Sequence, residues 1–324
     1  MDEFITRIGI RFPILQAGMG GGIAGADLAA AVTAAGGLGT LGMGSPSGMH
    51  RQLVLARERA TGPIAVNLLL PFVRRGHASV AAAADVVVTF WGKPERRSDK
   101  PWIHQVGSVS EAQQARAAGA DAVIVQGVES GGHVRGTTPA LELLERCRDA
   151  LPGRYPLLLA GGIADAKDVA AAIAAGAAAA VCGTRFLMSE ESGAAPGYKT
   201  RLSEGTGTVL TELFGVGWPG AHRVLPNLAT QRWLRTDPRG PRPVRLVNRV
   251  MSPLAARGPE SAQLWMVRRQ RVGFPFFTPV PPVGSATGMV VETSPLYAGE
   301  TVARIGDIRS AGAIVADLAA RLAG

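Results

Sequence analysis

One histidine in this chain stands in a setting suited to proton transfer. His133 ends the run 126–133, in which it follows two glycines and the apolar stretch 122–125. An imidazole with an unperturbed pKa of about 6.5 can accept a proton from a carbon acid near neutral pH. His133 is therefore the best candidate for a general base. Glu129, in the same run, either orients that imidazole or is merely solvated.

Two further glycine runs, 160–163 and 182–184, also follow apolar stretches. Glycine lets the backbone approach an anion closely, and a hydroxyl such as that of Thr184 can donate one more hydrogen bond. Either pair alone, Gly161-Gly162 or Gly183-Thr184, is equally compatible with an ordinary turn. Because both pairs stand at neighbouring strand ends, we predict that residues 161–162 and 183–184 form a phosphate cradle.

Amide and thioether groups also follow apolar stretches. They are Met19 in the run 16–19, Asn67, and Gln126. A flat heteroaromatic ring needs hydrogen-bond donors and acceptors along one edge and apolar contacts on its faces. Each amide alone is more typical of a satisfied core or turn group. Their shared position at strand ends predicts that they contact such a ring together.

The hydrophobic pattern supplies the elements that must position these groups. The predicted strands are residues 14–17, 39–41, 64–67, 86–89, 103–106, 122–126, 157–160 and 179–182. The helical segments between them include 27–35, 108–118, 138–150 and 165–175, and several end in Ala-Gly. Eight parallel strands close a barrel whose sites lie at the carboxyl ends of the strands, with phosphate commonly bound after strands seven and eight.

The fold class we predict is α/β, a (β/α)8 TIM barrel with a mainly helical or irregular insertion after strand eight. Residues 1–204 and 294–324 form the barrel, with a closing helix over 305–322, and residues 205–293 form the insertion or lid. Within it, residues 221–271 contain eleven arginines and two acidic residues. This segment fits a solvated surface, an anion-attracting rim or a nucleic-acid patch. A solvated surface is the simplest interpretation of this segment, and we do not expect nucleic acid as a partner.

Composition narrows the class of protein. A hydrophobic content of 47% with 18% charged residues is typical of a globular chain of 324 residues. The two cysteines, Cys147 and Cys182, support neither a disulfide framework nor a zinc site, so we expect no metal. The acidic start lacks a secretory pattern, and Gly176 interrupts the longest apolar run. We expect a cytoplasmic protein without a membrane segment.

Taken together, these runs resemble the nitronate monooxygenase family, formerly called 2-nitropropane dioxygenases, which are FMN-dependent barrels. The stretches that carry the resemblance are residues 13–21, 35–39, 66–68, 126–133, 160–164, 183–187 and 297–300. The resemblance implies FMN contacts at Asn67, Gln126, Gly131, Gly162 and residues 181–184, with His133 as the catalytic base. Together with the strand-end positions, the predicted cofactor-binding residues are Ala17, Gly18, Met19, Asn67, Gln126, Gly131, Gly132, Gly161, Gly162, Val181, Cys182, Gly183 and Thr184.

The resemblance also implies an activity. In that family a nitroalkane loses its α-proton to the histidine, the nitronate passes electrons to FMN, and reaction with O2 gives a carbonyl compound and nitrite. The implied partners are a small nitronate or related anion and O2. The sequence leaves open whether the protein forms a homodimer. The family order Gly-Gly-His-Arg-Gly is interrupted here by Val134, so we expect Arg135 to be displaced from the site. That departure and the heavy basic insertion leave the substrate open.

Three other functions fit parts of the pattern. Flavin-dependent enoyl-acyl-carrier-protein reductases and quinone reductases share a similar barrel but draw hydride from NAD(P)H, and a basic rim would suit an acidic carrier protein. A nucleotide dehydrogenase resembling the inosine monophosphate enzyme needs a nucleophilic cysteine in the loop after strand six, and the sequence has none there. The third alternative is a non-catalytic flavin-binding or nucleic-acid-associated protein, in which the basic insertion would carry the function.

Overall fold

A closed sheet of parallel strands organises the chain in the computed structural model, which describes residues 2–257 and 265–322. The barrel strands are β1 (Ile14–Gln16), β2 (Gly39–Leu41), β3 (Ile64–Leu69), β4 (Val86–Phe90), β5 (Trp102–Val106), β6 (Ala122–Gln126), β8 (Leu157–Ala160) and β9 (Ala179–Cys182). They are hydrogen-bonded in the order β1-β9-β8-β6-β5-β4-β3-β2, all in parallel. Leu15 in β1 bridges Leu38, which precedes β2, so the two edges meet. The predicted eight-stranded barrel is confirmed.

Helices cover the outside of the barrel, and others belong to the insertion. They are α1 (Glu3–Arg7), α2 (Ala26–Ala34), α3 (Pro46–Arg59), α4 (His77–Ala83), α5 (Val109–Ala117), α6 (Ala140–Ala150), α7 (Ala166–Ala174), α8 (Thr184–Leu187), α9 (Pro196–Ser203), α10 (Leu228–Trp233), α11 (Arg242–Arg257), α12 (Met289–Thr293) and α13 (Ala311–Ala319). Side-chain caps start several of them: Ser108 accepts from the Glu111 N–H, and Asp165 forms a capping box with Asp168. The glycine after α2, Gly36, has φ +95°, the left-handed conformation expected of a residue that ends a helix.

The closing helix is shorter than predicted. Residues 305–322 do not form one helix, because Ser310 caps α13 by accepting from the Ala313 N–H and so starts the helix there. A 3-10 turn, Glu300–Arg304, precedes it. Between the two, the Asp307 carboxylate and carbonyl accept hydrogen bonds from the Arg185 guanidinium, which fixes the connection in a non-helical path.

Strand side chains alternate between two apolar layers, as the period of two of a β-strand requires. Leu15, Leu158 and Val181 point into the barrel interior, where they join one buried cluster. Ile14 and Ala180 point outward and pack beneath the helices in a second cluster. Apolar packing on both faces of the sheet thereby fixes the strand ends that carry the polar groups of the site.

The insertion is not only helical and irregular. Its strands β10 (Val209–Thr211) and β11 (His222–Val224) pair antiparallel, and β11 pairs in turn with β7 (Gly132–His133) in the loop after β6. A small core of its own includes Phe214 and Phe277. The boundaries at 204 and 294 stay a prediction, and the β7–β11 ladder joins the insertion to the loop that carries His133. None of the described helices is long and apolar enough to cross a membrane.

Candidate active site

A cavity of about 460 Å³ opens at the carboxyl ends of the barrel strands. This volume lies within the usual range of a small-molecule or cofactor site. The predicted residues that line it are Ala17, Gly18, Met19, Asn67, Gln126, Gly131, Gly132, His133, Gly161, Gly162, Val181, Gly183 and Thr184. The fold therefore brings every predicted site residue but one to a single place.

The exception is Cys182. Its side chain is fully buried in the outer apolar layer, because it alternates with Val181, which points into the barrel. Burial raises the pKa of the thiol far above its usual value. Only its backbone reaches toward the site, where the Cys182 carbonyl accepts from the Ala17 N–H at 3.0 Å. The prediction that Cys182 contacts a cofactor is thus limited to its main chain.

The glycines after β8 and β9 leave the cavity floor open. Gly162 has φ +76°, which few side chains tolerate, whereas Gly183 has φ −101°. A Cβ built on Gly183 would meet no protein atom closer than the Ala17 Cβ at 3.8 Å. Since Gly183 lines the cavity, such a methyl group would occupy cavity space. The Thr184 hydroxyl accepts from the Gly299 N–H at 2.9 Å and keeps its own proton for another acceptor.

The two predicted amides have different roles. The Asn67 Nδ2 donates to the Gly18 carbonyl at 3.1 Å, and Gly18 must be glycine because a Cβ there would clash with the Asn67 side chain. The Gln126 Nε2 donates to the His133 carbonyl at 2.9 Å, and its Oε1 accepts from the Arg135 N–H at 3.4 Å. Gln126 therefore ties down the loop that carries the histidine, besides lining the cavity.

His133 is buried at the cavity wall with one ring nitrogen unsatisfied. Its backbone is held on both sides, since His133 pairs with His222 in the β7–β11 ladder and the Val134 N–H donates to the Ala221 carbonyl at 2.8 Å. The His133 Nε2 has no hydrogen-bond partner among the described residues. A buried polar atom without a partner is costly, so such an atom in a residue of the cavity wall indicates a functional role for that residue.

Electrostatics keep the His133 imidazole neutral. Burial, followed by the neighbouring His222, holds its pKa well below 6.5, and the backbone of Trp218 opposes this shift. His222 is itself satisfied, as its Nδ1 hydrogen-bonds the Gly220 carbonyl at 2.8 Å and its Nε2 accepts from the Phe214 N–H at 3.3 Å. Burial lowers the pKa of His222 to about 4. A neutral imidazole with a free Nε2 is the form that a general base requires.

Aromatic rings that the sequence did not assign to the site surround this imidazole. The Trp218 indole stacks on His133 with ring centroids 3.5 Å apart and planes 7° from parallel. Trp91 meets His133 edge to face at 6.0 Å, and Tyr297 lies 5.7 Å away. Trp91 is the one non-glycine residue with positive φ in the described chain, at +63°. Strain of this kind is concentrated at functional sites.

Two charged neighbours of the histidine are engaged elsewhere. The Glu129 carboxylate accepts from the Ala140 N–H at 3.0 Å, so it caps α6 and does not orient the imidazole. Arg135 does not line the cavity, in agreement with its expected displacement from the site: its guanidinium lies over the Trp91 ring at 4.9 Å, and its Nε donates to Glu111 at 2.7 Å. The extra Val134 thus places the arginine behind Trp91, and Val134 itself is buried.

Hydrogen bonds within the protein hold two of the other histidines. His77 lines the cavity, but its Nδ1 accepts from the Arg74 N–H at 2.8 Å and its Nε2 bonds the Gly44 carbonyl at 3.0 Å. The Nδ1 of His104 pairs with the Thr89 hydroxyl at 2.8 Å, and burial lowers its pKa to about 4. His50 is exposed on α3.

Sequence comparison decides the family of this barrel. Residues 2–89 and 76–233 match the family model for nitronate monooxygenase. The chain belongs to the nitronate monooxygenase family. The members of this family are flavin-dependent oxidoreductases, in agreement with a glycine-lined cavity at the barrel mouth.

Proteins similar to this chain differ in function. One curated relative, the (3aS,4S,5R,7aS)-5-hydroxy-7a-methyl-1-oxo-octahydro-1H-indene-4-carboxyl-CoA dehydrogenase of Mycobacterium tuberculosis, is 34% identical over 67% of this chain. The match spans 64% of that protein, less than two thirds of its length. Nitroalkane oxidase from Streptomyces ansochromogenes is similar in structure, with a TM-score of 0.76, 28% identity, and coverage of 99% of this chain and 98% of that one. FabK from Thermotoga maritima gives a TM-score of 0.75, 28% identity, and coverage of 98% and 94%.

Proposed function

We propose that this member of the nitronate monooxygenase family binds FMN in the barrel-mouth cavity and oxidises nitronates or nitroalkanes with O2 to carbonyl compounds and nitrite. His133 is the general base of this reaction. The observation that carries the proposal is the buried, unpartnered Nε2 of His133 on the wall of a glycine-lined cavity. Membership of the family and the likeness to a nitroalkane oxidase support it.

The cavity fits a phosphorylated flavin by the chemistry of its lining. The main chain at Gly162 and Gly183, with the Thr184 hydroxyl, would hold the phosphate, since a Cβ on Gly183 would meet only the Ala17 Cβ at 3.8 Å and one on Gly162 only the Glu129 side chain at 3.6 Å. Asn67 and Met19 would meet the ring. Gln126 has its amide engaged with the His133 loop, so its part is to position that loop more than to bind the ring. When bound, FMN supplies the electron acceptor and the reactivity toward O2.

His133 is suited to take a proton from the α-carbon of a neutral nitroalkane. The hydrogen bonds of Gln126 to the His133 carbonyl and of Val134 to the Ala221 carbonyl fix the backbone that carries the imidazole. Burial lowers the pKa of the imidazole and so keeps the ring unprotonated. A base held in this way needs little reorganisation when the substrate enters.

The cavity walls favour a small substrate with an apolar chain. Phe72, Trp218 and Tyr297 line the side on which His133 lies, and Met266 and Val280 add further apolar surface from the insertion. No group of three or more His, Cys, Asp and Glu residues that could hold a metal is found in the described part of the chain. The lining instead provides one base, backbone amides and aromatic faces.

A flavin-dependent NAD(P)H reductase acting on an enoyl-acyl carrier protein or a quinone is the second candidate. The likeness to FabK fits it, and one relative is by name a dehydrogenase of a carboxyl-CoA compound. On the insertion, Arg239, Arg242, Arg245 and Arg249 line a shallow depression beside Glu212, a surface that suits the phosphates of a large anionic carrier.

Anaerobic mixing separates the two candidates. Flavin absorbance of the loaded protein should be bleached rapidly by ethylnitronate and slowly by NADH or NADPH if the proposal holds. The reverse order supports the reductase. His133→Gln should retain the bound flavin and lose most of its turnover on neutral nitroethane, which tests the base separately from the cofactor.

A further inference from the structure

The Gly162 carbonyl, in the loop after β8, is held from outside the cavity. The Arg304 Nη2 donates to this carbonyl at 3.1 Å, and Arg304 does not line the cavity, whereas Gly162 and Ile163 do. In a trans peptide the carbonyl and the following N–H point in opposite directions, and the described chain contains no cis peptide bond. The Ile163 N–H is therefore turned away from Arg304, toward the cavity side of the loop.

The N–H groups of this loop have no acceptor in the protein. Those of Gly161, Gly162 and Ile163 form no hydrogen bond within the described residues, and all three residues line the cavity. The next N–H, that of Ala164, donates to the Asp168 carboxylate at 2.8 Å, and Ala164 does not line the cavity. Successive free N–H groups form a concave site for an anion.

Two carboxylates fix the Arg304 guanidinium. Its Nη2 donates to Asp168 at 2.7 Å, and its Nη1 lies 3.3 Å from a carboxylate oxygen of Asp165 and of Asp168. Asp165 and Asp168 form the capping box of α7, the helix that follows this loop. The guanidinium therefore holds the Gly162 carbonyl in a fixed place relative to the start of α7.

The 3-10 turn that carries Arg304 is tied to the other loops of the site. The Glu300 N–H donates to the Glu129 carbonyl at 3.0 Å, in the loop after β6. The Gly299 N–H donates to the Thr184 hydroxyl at 2.9 Å, in the segment after β9. Because Arg304 adds a contact to the loop after β8, this turn fixes both parts of the proposed cradle relative to each other.

The glycines leave the peptide between Gly162 and Ile163 free to rotate. Gly161 and Gly162 have φ of +113° and +76°, conformations that glycine adopts readily. A Cβ on Gly162 would meet nothing closer than the Glu129 Oε1 at 3.6 Å, so packing does not lock this peptide. If it rotated, the carbonyl oxygen would face the anion in place of the Ile163 N–H. The hydrogen bond from Arg304 opposes this rotation.

We propose that Arg304 is a positioning residue for the cofactor phosphate: by holding the Gly162 carbonyl, it keeps the Ile163 N–H directed at the phosphate of FMN. Its guanidinium is paired with two carboxylates and lies outside the cavity, so it acts through the peptide and not through its charge. The Ile163 N–H then joins the main chain of Gly162 and Gly183 in the cradle. This inference rests on the proposed function, which places the phosphate there.

A comparison of FMN with riboflavin, which lacks the phosphate, tests this role without turnover. Arg304→Gln removes the guanidinium. We expect it to raise the FMN dissociation constant of the flavin-free protein about 10-fold, the usual effect of losing one hydrogen bond to a charged group, and to leave the riboflavin dissociation constant unchanged.

The Ile163 amide proton reports on the contact itself. With isotopically labelled isoleucine, it is assigned by its absence from the spectrum of Ile163→Val. In the wild type it should shift downfield when FMN binds and should shift less when riboflavin binds.

Arg309→Gln is the matched control. The Arg309 side chain is 42% exposed against 46% for Arg304, and it also pairs with two carboxylates, those of Asp307 and Asp317. In the described part of the chain its guanidinium donates to no loop of the cavity, so Arg309→Gln should bind FMN as the wild type does. Arg304→Lys keeps a donor at the end of the side chain and should recover part of the FMN affinity if urea unfolding shows that Arg304→Gln folds poorly.

Equal FMN affinity in Arg304→Gln and Arg309→Gln would overturn the assignment. Equal losses of FMN and riboflavin affinity in Arg304→Gln would also overturn it, since they indicate a general loss of structure, as would an Ile163 amide that FMN does not shift. Failure of the proposed function is seen separately, as a wild type that binds FMN more tightly than riboflavin but does not oxidise ethylnitronate.

Discussion

Replacing Gly183 by alanine tests the phosphate cradle with little risk to the fold. The φ of −101° is open to any residue, and a methyl group there would meet no protein atom within ordinary contact distance except the Ala17 Cβ at 3.8 Å. We therefore expect the free energy of unfolding of the flavin-free protein to change by no more than about 0.5 kcal/mol. The added methyl group projects into the cavity where we place the phosphate.

The expected effect is on cofactor affinity. A methyl group at this position keeps a phosphate from approaching the backbone amides, and the loss of one hydrogen bond to a charged group costs about 1.5 to 3 kcal/mol. This corresponds to an FMN dissociation constant raised about 10- to 150-fold. The same substitution at Gly162 would be less informative, since its φ of +76° adds backbone strain to any effect on the ligand.

Fluorescence titration of the flavin-free protein with FMN measures this change. Gly312→Ala is the matched control, because Gly312 lies in α13 and a Cβ there meets nothing within 4 Å. Urea unfolding of both variants shows whether each is folded. An FMN affinity of Gly183→Ala equal to that of Gly312→Ala, in a folded protein, would refute the cradle.

Three further predictions concern the histidines. His133→Gln should keep FMN and lose about two to four orders of magnitude in kcat/KM for neutral nitroethane, with part of the rate restored by preformed ethylnitronate; normal nitroethane turnover would contradict this. Because the pKa of His133 lies well below 6.5, kcat/KM for nitroethane should stay level as the pH falls to 6.5 and decline only below it, and a decline centred at or above 6.5 in the pH profile would argue against this base. The pKa values of His104 and His222 are about 4 in the folded protein, against 6.5 for an unperturbed histidine in the unfolded chain. As the pH falls below 6.5, the unfolded chain therefore binds protons before the folded protein does. The contribution of these histidines to the free energy of unfolding is complete above pH 6.5 and is lost toward pH 4, by about 1.4 kcal/mol per pH unit for each histidine. His222→Gln should make this slope in urea unfolding shallower, and an unchanged slope would contradict the assignment.

The barrel and most of the site lining could be predicted because they depend on local patterns. Short apolar runs separated by helical segments define β1 to β6, β8 and β9, and the carboxyl ends of parallel strands meet at one edge. Gly161 and Gly183 follow such strands directly, so their convergence needed no knowledge of loop paths, and His133 lies in the loop after β6. The same alternation within β9 could have shown that Cys182 points away from the cavity, since its neighbour Val181 points in.

The aromatic surroundings of His133 could not be predicted in this way. Trp218 is far from His133 in the sequence, and the ladder that joins their loops consists of β7, with two residues, and β11, with three. Strands of this length leave no periodic signal. The arrangement depends on tertiary packing, including the close approach of Gly220 to Trp91, which spacing alone does not reveal.

Anaerobic rapid mixing of the flavin-loaded protein with ethylnitronate, followed by flavin absorbance, tests the central claim most directly. The account predicts rapid bleaching by ethylnitronate, recovery of the colour and formation of nitrite when O2 is admitted, and slow bleaching by NADH or NADPH. Rapid bleaching by a nicotinamide with none by ethylnitronate, or a protein that takes up no FMN, would contradict it.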